Sequence, residues 1–383
     1  MPINHATIST TQDVVRPTLV EVNLSRLRGN FTAIKKAVAP AKVMPVLKAN
    51  AYGHGLVRVA QFMQELGADA IGVAVLEEGL LLREAGITIP ILVLGGVLGN
   101  QIPHFINHDL TITASSITKL QNIEWAAKAL GRIAKVHLKI DTGMERIGVH
   151  YYSAEGFLRT ALDCQNVQVE GIYTHFANAD AADLRHARLQ LQRFQEVLSF
   201  YRRHGVERPP LVHAANSGAV LQLPESYFNM VRPGILLYGI YPSDAVRRSI
   251  AVKSALTWKS RVVYFKVITP GHPVGYGSRW QTQAATRAVT VPVGYGDGYF
   301  RSMSGRAQVI IRGAKYPVIG AISMDQIVVN IGDDSAYNDD EVLLIGETEG
   351  ASITVEDLAA WAGTIPYEIL TNINTRVPRV YSE

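Results

Sequence analysis

From Lys42 onward the chain alternates short apolar runs with stretches whose apolar residues recur at helical spacing. An unbroken apolar run suits a strand buried on both faces, and an i, i+3, i+4 recurrence suits a helix that covers it. Val43–Leu47 is followed by Leu56–Leu66, Ala70–Val75 by Glu77–Ala85, Ile91–Leu94 by Ile102–Asn107, and Leu110–Thr113 by Ile117–Leu130. Val136–Ile140 then precedes Ala154–Asp163, Val169–His175 precedes Asp183–His204, and Leu211–Ala214 precedes Gly218–Leu223. Met230 with Ile235–Tyr238 closes the series. Roughly eight strand-then-helix units over about 210 residues is the size and rhythm of a (β/α)8 TIM barrel. An open doubly wound sheet is the competing arrangement, but no Gly-x-Gly-x-x-Gly opens the first helix, and Gly95-Gly96 reads as a tight turn.

Thr18–Val22 alternates like a strand, and Asn23 to Ser25 offer caps for a helix over Arg26–Val38. After about Ser254 the texture changes. Leu256–Val267, Ala288–Val293, Ala307–Ile311, Tyr316–Ile319, Gln326–Ile331 and Glu341–Ile345 are short strand-like runs divided by Gly, Pro and Asp turns. One helix, Val355–Trp361 with Thr354 as its cap, interrupts them. The expected organisation is therefore a flexible tail over 1–16, a strand over 17–23 that joins the C-terminal domain, a barrel over 24–253 and a mostly β domain over 254–383.

Composition narrows the function. The chain is 48% hydrophobic and 18% charged, enough to bury a sizeable core. A net charge of +4 without a dense Lys/Arg cluster makes nucleic acid a poor partner and a small anionic molecule a better one. Cys164 is the single cysteine, so an internal disulfide and a cysteine-based zinc site are excluded, and the histidines lack metal-ligand spacing. No signal-like apolar region opens the chain and no run is long enough to span a bilayer, so a cytoplasmic protein with no membrane association is expected.

The most informative stretch is Val43 to Gly55, an apolar run that ends in Lys48 and a turn of Asn50, Gly53 and His54. A lysine at the C-terminal end of a barrel strand stands where such enzymes place their chemistry, and an amine whose charge is disfavoured there becomes a nucleophile towards carbonyls. The segment Lys48-Ala49-Asn50-Ala51-Tyr52-Gly53-His54-Gly55 resembles the pyridoxal phosphate lysine segment of bacterial alanine racemases. Further segments match in the same order: Lys139 to Gly148, Tyr173 to Ala177, Asn216-Ser217, Met230 to Gly234, Gly275-Tyr276-Gly277, Gly294 to Tyr299 and Ser323-Met324-Asp325. The resemblance runs from about Pro17 to Tyr381.

It implies an isomerase that interconverts L- and D-alanine, supplying D-alanine for peptidoglycan, with pyridoxal 5'-phosphate carried on Lys48. By the same resemblance Tyr52, Ser217, Gly234, Ile235 and Thr375 occupy phosphate-site positions, Gly234 leaving backbone N–H groups accessible. Arg232 faces the pyridine nitrogen; a guanidinium only donates, so that nitrogen stays unprotonated and racemisation is favoured over transamination. Lys48 and Tyr276 are the expected bases on opposite faces, Tyr276 coming from the second subunit of a homodimer with shared active sites. A tyrosine ionises near pH 10 and needs help, for which His175, kept neutral by Arg232, is expected to accept its hydrogen bond. Arg146 and the backbone of Met324 are expected at the substrate carboxylate, and Lys139 as a carbamate that orients Arg146.

Tyr295, Asp180 and Arg301 resemble gate residues of the family. Thr375 and Ala321 depart from it, standing where many members carry a tyrosine and an arginine, and the removed bulk predicts activity on serine as well as alanine. Three other readings stay open: a racemase that prefers serine or other small amino acids, a barrel that binds the coenzyme without turnover, and a decarboxylase of the same layout. The last places a glutamate where Arg232 stands, and the carrier lacks a β domain with a residue such as Tyr276.

Overall fold

A computed structural model describes residues 15–383. The described chain forms two compact units, one of Leu27–Ala51 with Leu56–Lys253, the other of residues 15–26, Tyr52–Gly55 and Ser254–Glu383.

The first unit is a closed parallel barrel. Its strands are Lys42–Val43, Ile71–Val73, Ile91–Val93, Thr111–Ala114, Ala134–Asp141, Val167–Tyr173, Leu211–His213 and Met230–Val231. Each pairs in parallel with its neighbour from Ile71–Val73 round to Met230–Val231, which pairs with Lys42–Val43. The remaining seam is closed by a parallel bridge between Val46 and Gly72, with the Leu47 N–H donating to the Gly72 carbonyl at 2.8 Å. Pro45, which has no N–H, explains why only Val43 of the run Val43–Leu47 lies in the regular strand Lys42–Val43. Helices cover the outside as the periodicity predicts: Ile102–Asn107, Ile117–Leu130 and Ala154–Asp163 have the expected bounds. Ser116 caps Ile117–Leu130 by accepting from the Lys119 N–H at 3.1 Å.

One element differs in kind. Ile235–Tyr238 is a 3-10 turn, and its four residues are fully buried. A buried turn and a buried strand present the same unbroken apolar run, so periodicity does not separate them.

The second unit is built on an antiparallel sheet with one parallel edge. In spatial order its strands are Tyr264–Ile268, Thr286–Val291, Ile327–Gly332, Ala314–Ile319, Gln308–Ile311, Glu341–Thr348, Leu256–Arg261, Leu19–Asn23 and Arg379–Ser382. Burial alternates strictly along Ile327–Gly332 and nearly so along Leu256–Arg261, the mark of strands with one face inward. The run Leu256–Val267 is two strands with a break at Val262 and Val263. Leu19–Asn23 pairs with Leu256–Arg261 and Arg379–Ser382. A second helix, Pro366–Asn372, follows the expected one. Of the tail, residues 1–14 lie outside the described residues; Arg16 is not loose, since its guanidinium donates to Asp297 at 2.6 Å.

Candidate active site

Lys48 leaves the first barrel strand into a turn of unusual conformation. Ala49, Asn50, Ala51 and Tyr52 all have φ between 52° and 56°, the left-handed region. An L-residue there costs about 1–2 kcal/mol, so the turn stores several kcal/mol that its surroundings must offset. Glu78 supplies part of this: its carboxylate accepts the Ala49 N–H at 2.6 Å and the Ala74 N–H at 2.8 Å. Asn50 accepts the Leu56 N–H at 2.9 Å and so ties the turn to the next helix. Burial, and then the nearby charge of Arg146, lower the pKa of the half-buried Lys48 amine, while Glu78 partly opposes them. The outcome is an amine held closer to its reactive neutral form.

Across the barrel mouth lies a cationic floor. Arg232 is 3% exposed and touches no carboxylate among the described residues; it donates to the carbonyls of Thr174 at 2.8 Å and Ala214 at 3.1 Å. It also meets Nδ1 of His213 at 2.7 Å and Nδ1 of His175 at 3.3 Å. Because a guanidinium has no acceptor, both Nδ1 atoms must accept. In His213 this leaves the proton on Nε2, which donates to Nδ1 of His137 at 2.8 Å. Burial, then Arg232, holds His213 well below the usual histidine pKa and brings His137 down to about 3. His175 is likewise lowered, by burial and then by Lys139, Arg232, Arg146 and Lys48.

The neutral state expected for His175 is thus supported, but its hydrogen-bond role is reversed. With Nδ1 facing Arg232, the ring carries its proton on Nε2 and offers a donor, not an acceptor, to a phenolic oxygen.

Lys139 is 4% exposed, and burial followed by Arg232 depresses its pKa strongly. Its Nζ lies 4.4 Å from the centroid of the Tyr173 ring. Gly148 makes this packing possible, because at φ +122° a Cβ would lie 2.9 Å from Cγ of Lys139. Asp141 spends its carboxylate on the N–H groups of Gly143, Met144 and Arg146, at 2.8, 2.9 and 3.2 Å, which shapes the loop that carries Arg146. The Ser217 hydroxyl accepts the N–H of Gly234 at 2.9 Å and of Leu236 at 3.3 Å. The Gly234 amide expected to be accessible is therefore already paired. Ile235 is buried at the head of the 3-10 turn, and Asp180 lies in this same unit on the loop beyond Phe176.

The second unit carries the other predicted residues. Tyr276 is 71% exposed and Met324 51% exposed, both large apolar groups turned to the surface of the chain. Tyr295, Arg301 and Thr375 are exposed, whereas Tyr52 and Ala321 are buried. Among the described residues no group of three or more His, Cys, Asp or Glu is arranged to hold a metal ion.

The sequence profile described as "Alanine racemase, N-terminal domain" matches residues 22–242, and that described as "Alanine racemase, C-terminal domain" matches residues 255–381. The chain belongs to the alanine racemase family. A protein named alanine racemase from Carboxydothermus hydrogenoformans is 44% identical over 96% of this chain and 100% of its own length. The solved alanine racemase of Clostridium difficile 630 superposes with a TM-score of 0.91 at 38% identity, covering 97% of both chains. That of Bartonella henselae, described with covalently bound pyridoxal phosphate, superposes at 0.87 with 27% identity over 96% of this chain and 99% of its own.

Alanine racemases are pyridoxal phosphate-dependent isomerases, and the residues of this chain fit that coenzyme. In one barrel mouth Arg146 disfavours protonation of Lys48, Arg232 and Arg146 disfavour that of Lys139, and all four cations disfavour it at His175. Their nearest carboxylates, Glu78 and Asp141, are committed to backbone N–H groups. A doubly anionic phosphate ester with a carbonyl supplies the missing negative charge and a partner for the amine.

His137, His213, Glu78 and Asp141 were not singled out from the sequence. The first two did leave a signal, since each interrupts an apolar barrel strand, Val136-His137-Leu138 and Val212-His213-Ala214.

Proposed function

We propose that the chain is an alanine racemase that interconverts L- and D-alanine by moving a proton between two bases, Lys48 and Tyr276. The observation that carries this reading is Arg232: a buried cation with donors only and, among the described residues, no carboxylate partner, in the same barrel as Lys48, whose protonation burial and Arg146 disfavour. Pyridoxal phosphate, when bound, supplies an electron sink for the bond broken at Cα. Arg232 keeps a ring nitrogen that faces it unprotonated, which weakens that sink and favours return of the proton to carbon. A decarboxylase would gain from the opposite choice.

Lys48 holds or releases a proton on one face. Tyr276 does the same on the other, its phenolate favoured by the Nε2–H that His175 presents. Arg146 and the Met324 N–H receive the substrate carboxylate, and Ser217, Ile235, Tyr52 and Thr375 bind the phosphate, with Gly234, its amide held by the Ser217 hydroxyl, shaping that site. Lys139, a buried amine whose protonation burial and Arg232 disfavour, is set up to react with CO2, losing a proton, and to turn Arg146 by its new negative charge. Tyr295, Asp180 and Arg301 gate access.

The exposure of Tyr276 and Met324 supports a homodimer in which a second copy of the chain completes each site. No helix among the described residues is long and apolar enough to cross a membrane, and the enzyme is proposed to act in the cytoplasm, providing D-alanine for the wall. Thr375 and Ala321 favour a second activity, racemisation of serine, through the room their small side chains leave.

The test is incubation of the coenzyme-loaded protein with L-alanine, followed by circular dichroism. Loss of optical activity that Lys48→Ala abolishes is the expected result. Coenzyme binding without turnover would support a carrier instead, and release of CO2 a decarboxylase.

A further inference from the structure

We propose that Arg376 is a positioning residue, holding the turn that carries Met324 in the geometry that receives the substrate carboxylate. This rests on the assignment of the Met324 N–H to that carboxylate.

The argument begins with peptide planes. The Ser323 carbonyl accepts the Tyr295 N–H at 3.0 Å, and the Met324 carbonyl accepts the Gly296 N–H at 2.9 Å. In a trans peptide the C=O and N–H point in opposite directions, so a Ser323 carbonyl turned to Tyr295 aims the Met324 N–H away from that loop. The two segments touch closely: a Cβ on Gly294 would lie 2.3 Å from the Ser323 oxygen. The orientation of the recognition amide is therefore only as firm as the contact between 294–297 and 323–325.

Arg376 spans that contact. Its Nε donates to Asp297 Oδ1 at 2.7 Å and its NH2 to Asp325 Oδ1 at 2.7 Å, with the Met324 carbonyl 3.4 Å away. Asp297 is fully buried and anchors its own loop by accepting the Gly294 N–H at 3.0 Å. It also accepts from Arg16 at 2.6 Å, and Arg16 donates to the Arg376 carbonyl at 3.0 Å. One planar guanidinium thus joins a carboxylate on each loop, a geometry that a lysine's single ammonium cannot reproduce.

The experiment compares Arg376→Ala and Arg376→Lys with the parent holoenzyme. Amide hydrogen exchange is followed over 294–297 and 323–325. Affinity for alanine is compared with that for ethylamine, which has the amine but no carboxylate, through the absorbance of the bound coenzyme. Arg376→Ala is expected to speed exchange in both segments and to raise KM for alanine about tenfold, the usual cost of one charged hydrogen bond, with kcat within about twofold. Ethylamine binding should stay level, and Arg376→Lys should fall between. Unchanged exchange in 323–325 overturns the positioning role. Faster exchange with alanine and ethylamine affected alike overturns the placement of the carboxylate at Met324.

Discussion

Lowering the pH from 7 to 5.5 should destabilise the barrel through two histidines that take no part in the proton transfer itself. His137 and His213 are buried side by side, at 2% and 0% exposure, under the charge of Arg232. Their folded pKa values lie below the unfolded value of about 6.5. In this window the unfolded chain therefore binds protons that the folded chain refuses, and stability falls as pH falls. His137, whose folded pKa of about 3 keeps it neutral across this range, contributes RT ln[(1 + 10^1)/(1 + 10^-0.5)], about 1.3 kcal/mol, and His213 adds to it with the same sign. His175 adds to the same sign, and Glu170, whose pKa is raised by burial, opposes it weakly. Carboxylates with lowered pKa, such as Asp141, titrate below this range. Urea unfolding of the coenzyme-free protein at the two pH values measures the difference, and His137→Asn, which can still accept from His213, should remove about 1.3 kcal/mol of it. Stability that is level or higher at pH 5.5 would show that the two rings are not held neutral, and the tautomers deduced from Arg232 would fall with them.

Three other expectations follow from single contacts. Ser217→Ala leaves two buried N–H groups without their acceptor, so the coenzyme-free protein should lose about 1–3 kcal/mol by urea titration and bind pyridoxal phosphate more weakly in an absorbance titration. Asp297→Asn keeps the shape but not the charge that two arginines share; their partial exposure limits the expected loss to about 2–3 kcal/mol by the same measurement. Thr375→Tyr restores bulk and should lower the ratio of serine to alanine kcat/KM several-fold, whereas an unchanged ratio would mean that Thr375 does not set the size of the site.

The barrel was legible because its strands are buried on both faces and its helices on one, so the change of period marks nearly every boundary. Lys48 was legible as chemistry from its place at the end of an apolar strand, and Arg232 from the resemblance to the family. The left-handed turn was not: alanine has no preference for φ near 52°, and the conformation is held by Glu78 from outside the turn and by the Asn50 side chain within it. Nor was the Arg16–Asp297–Arg376 cluster, in which Asp297 lies 281 positions from Arg16 and 79 from Arg376 and meets them only when the sheet closes the second unit. His175 shows the finer limit, since its neutrality follows from its neighbours' charges but the proton's place on the ring depends on one contact from Arg232.

The most direct test of the two-base account is complementation. Lys48→Ala and Tyr276→Phe chains, each inactive alone, are mixed under conditions in which subunit exchange is verified, and alanine racemisation is measured. If each site draws Lys48 from one chain and Tyr276 from the other, half the dimers become mixed and each carries one intact site, so about 25% of the parent activity should return. No recovery after complete exchange would contradict the account, because both bases would then belong to a single chain or one of them would not be a base.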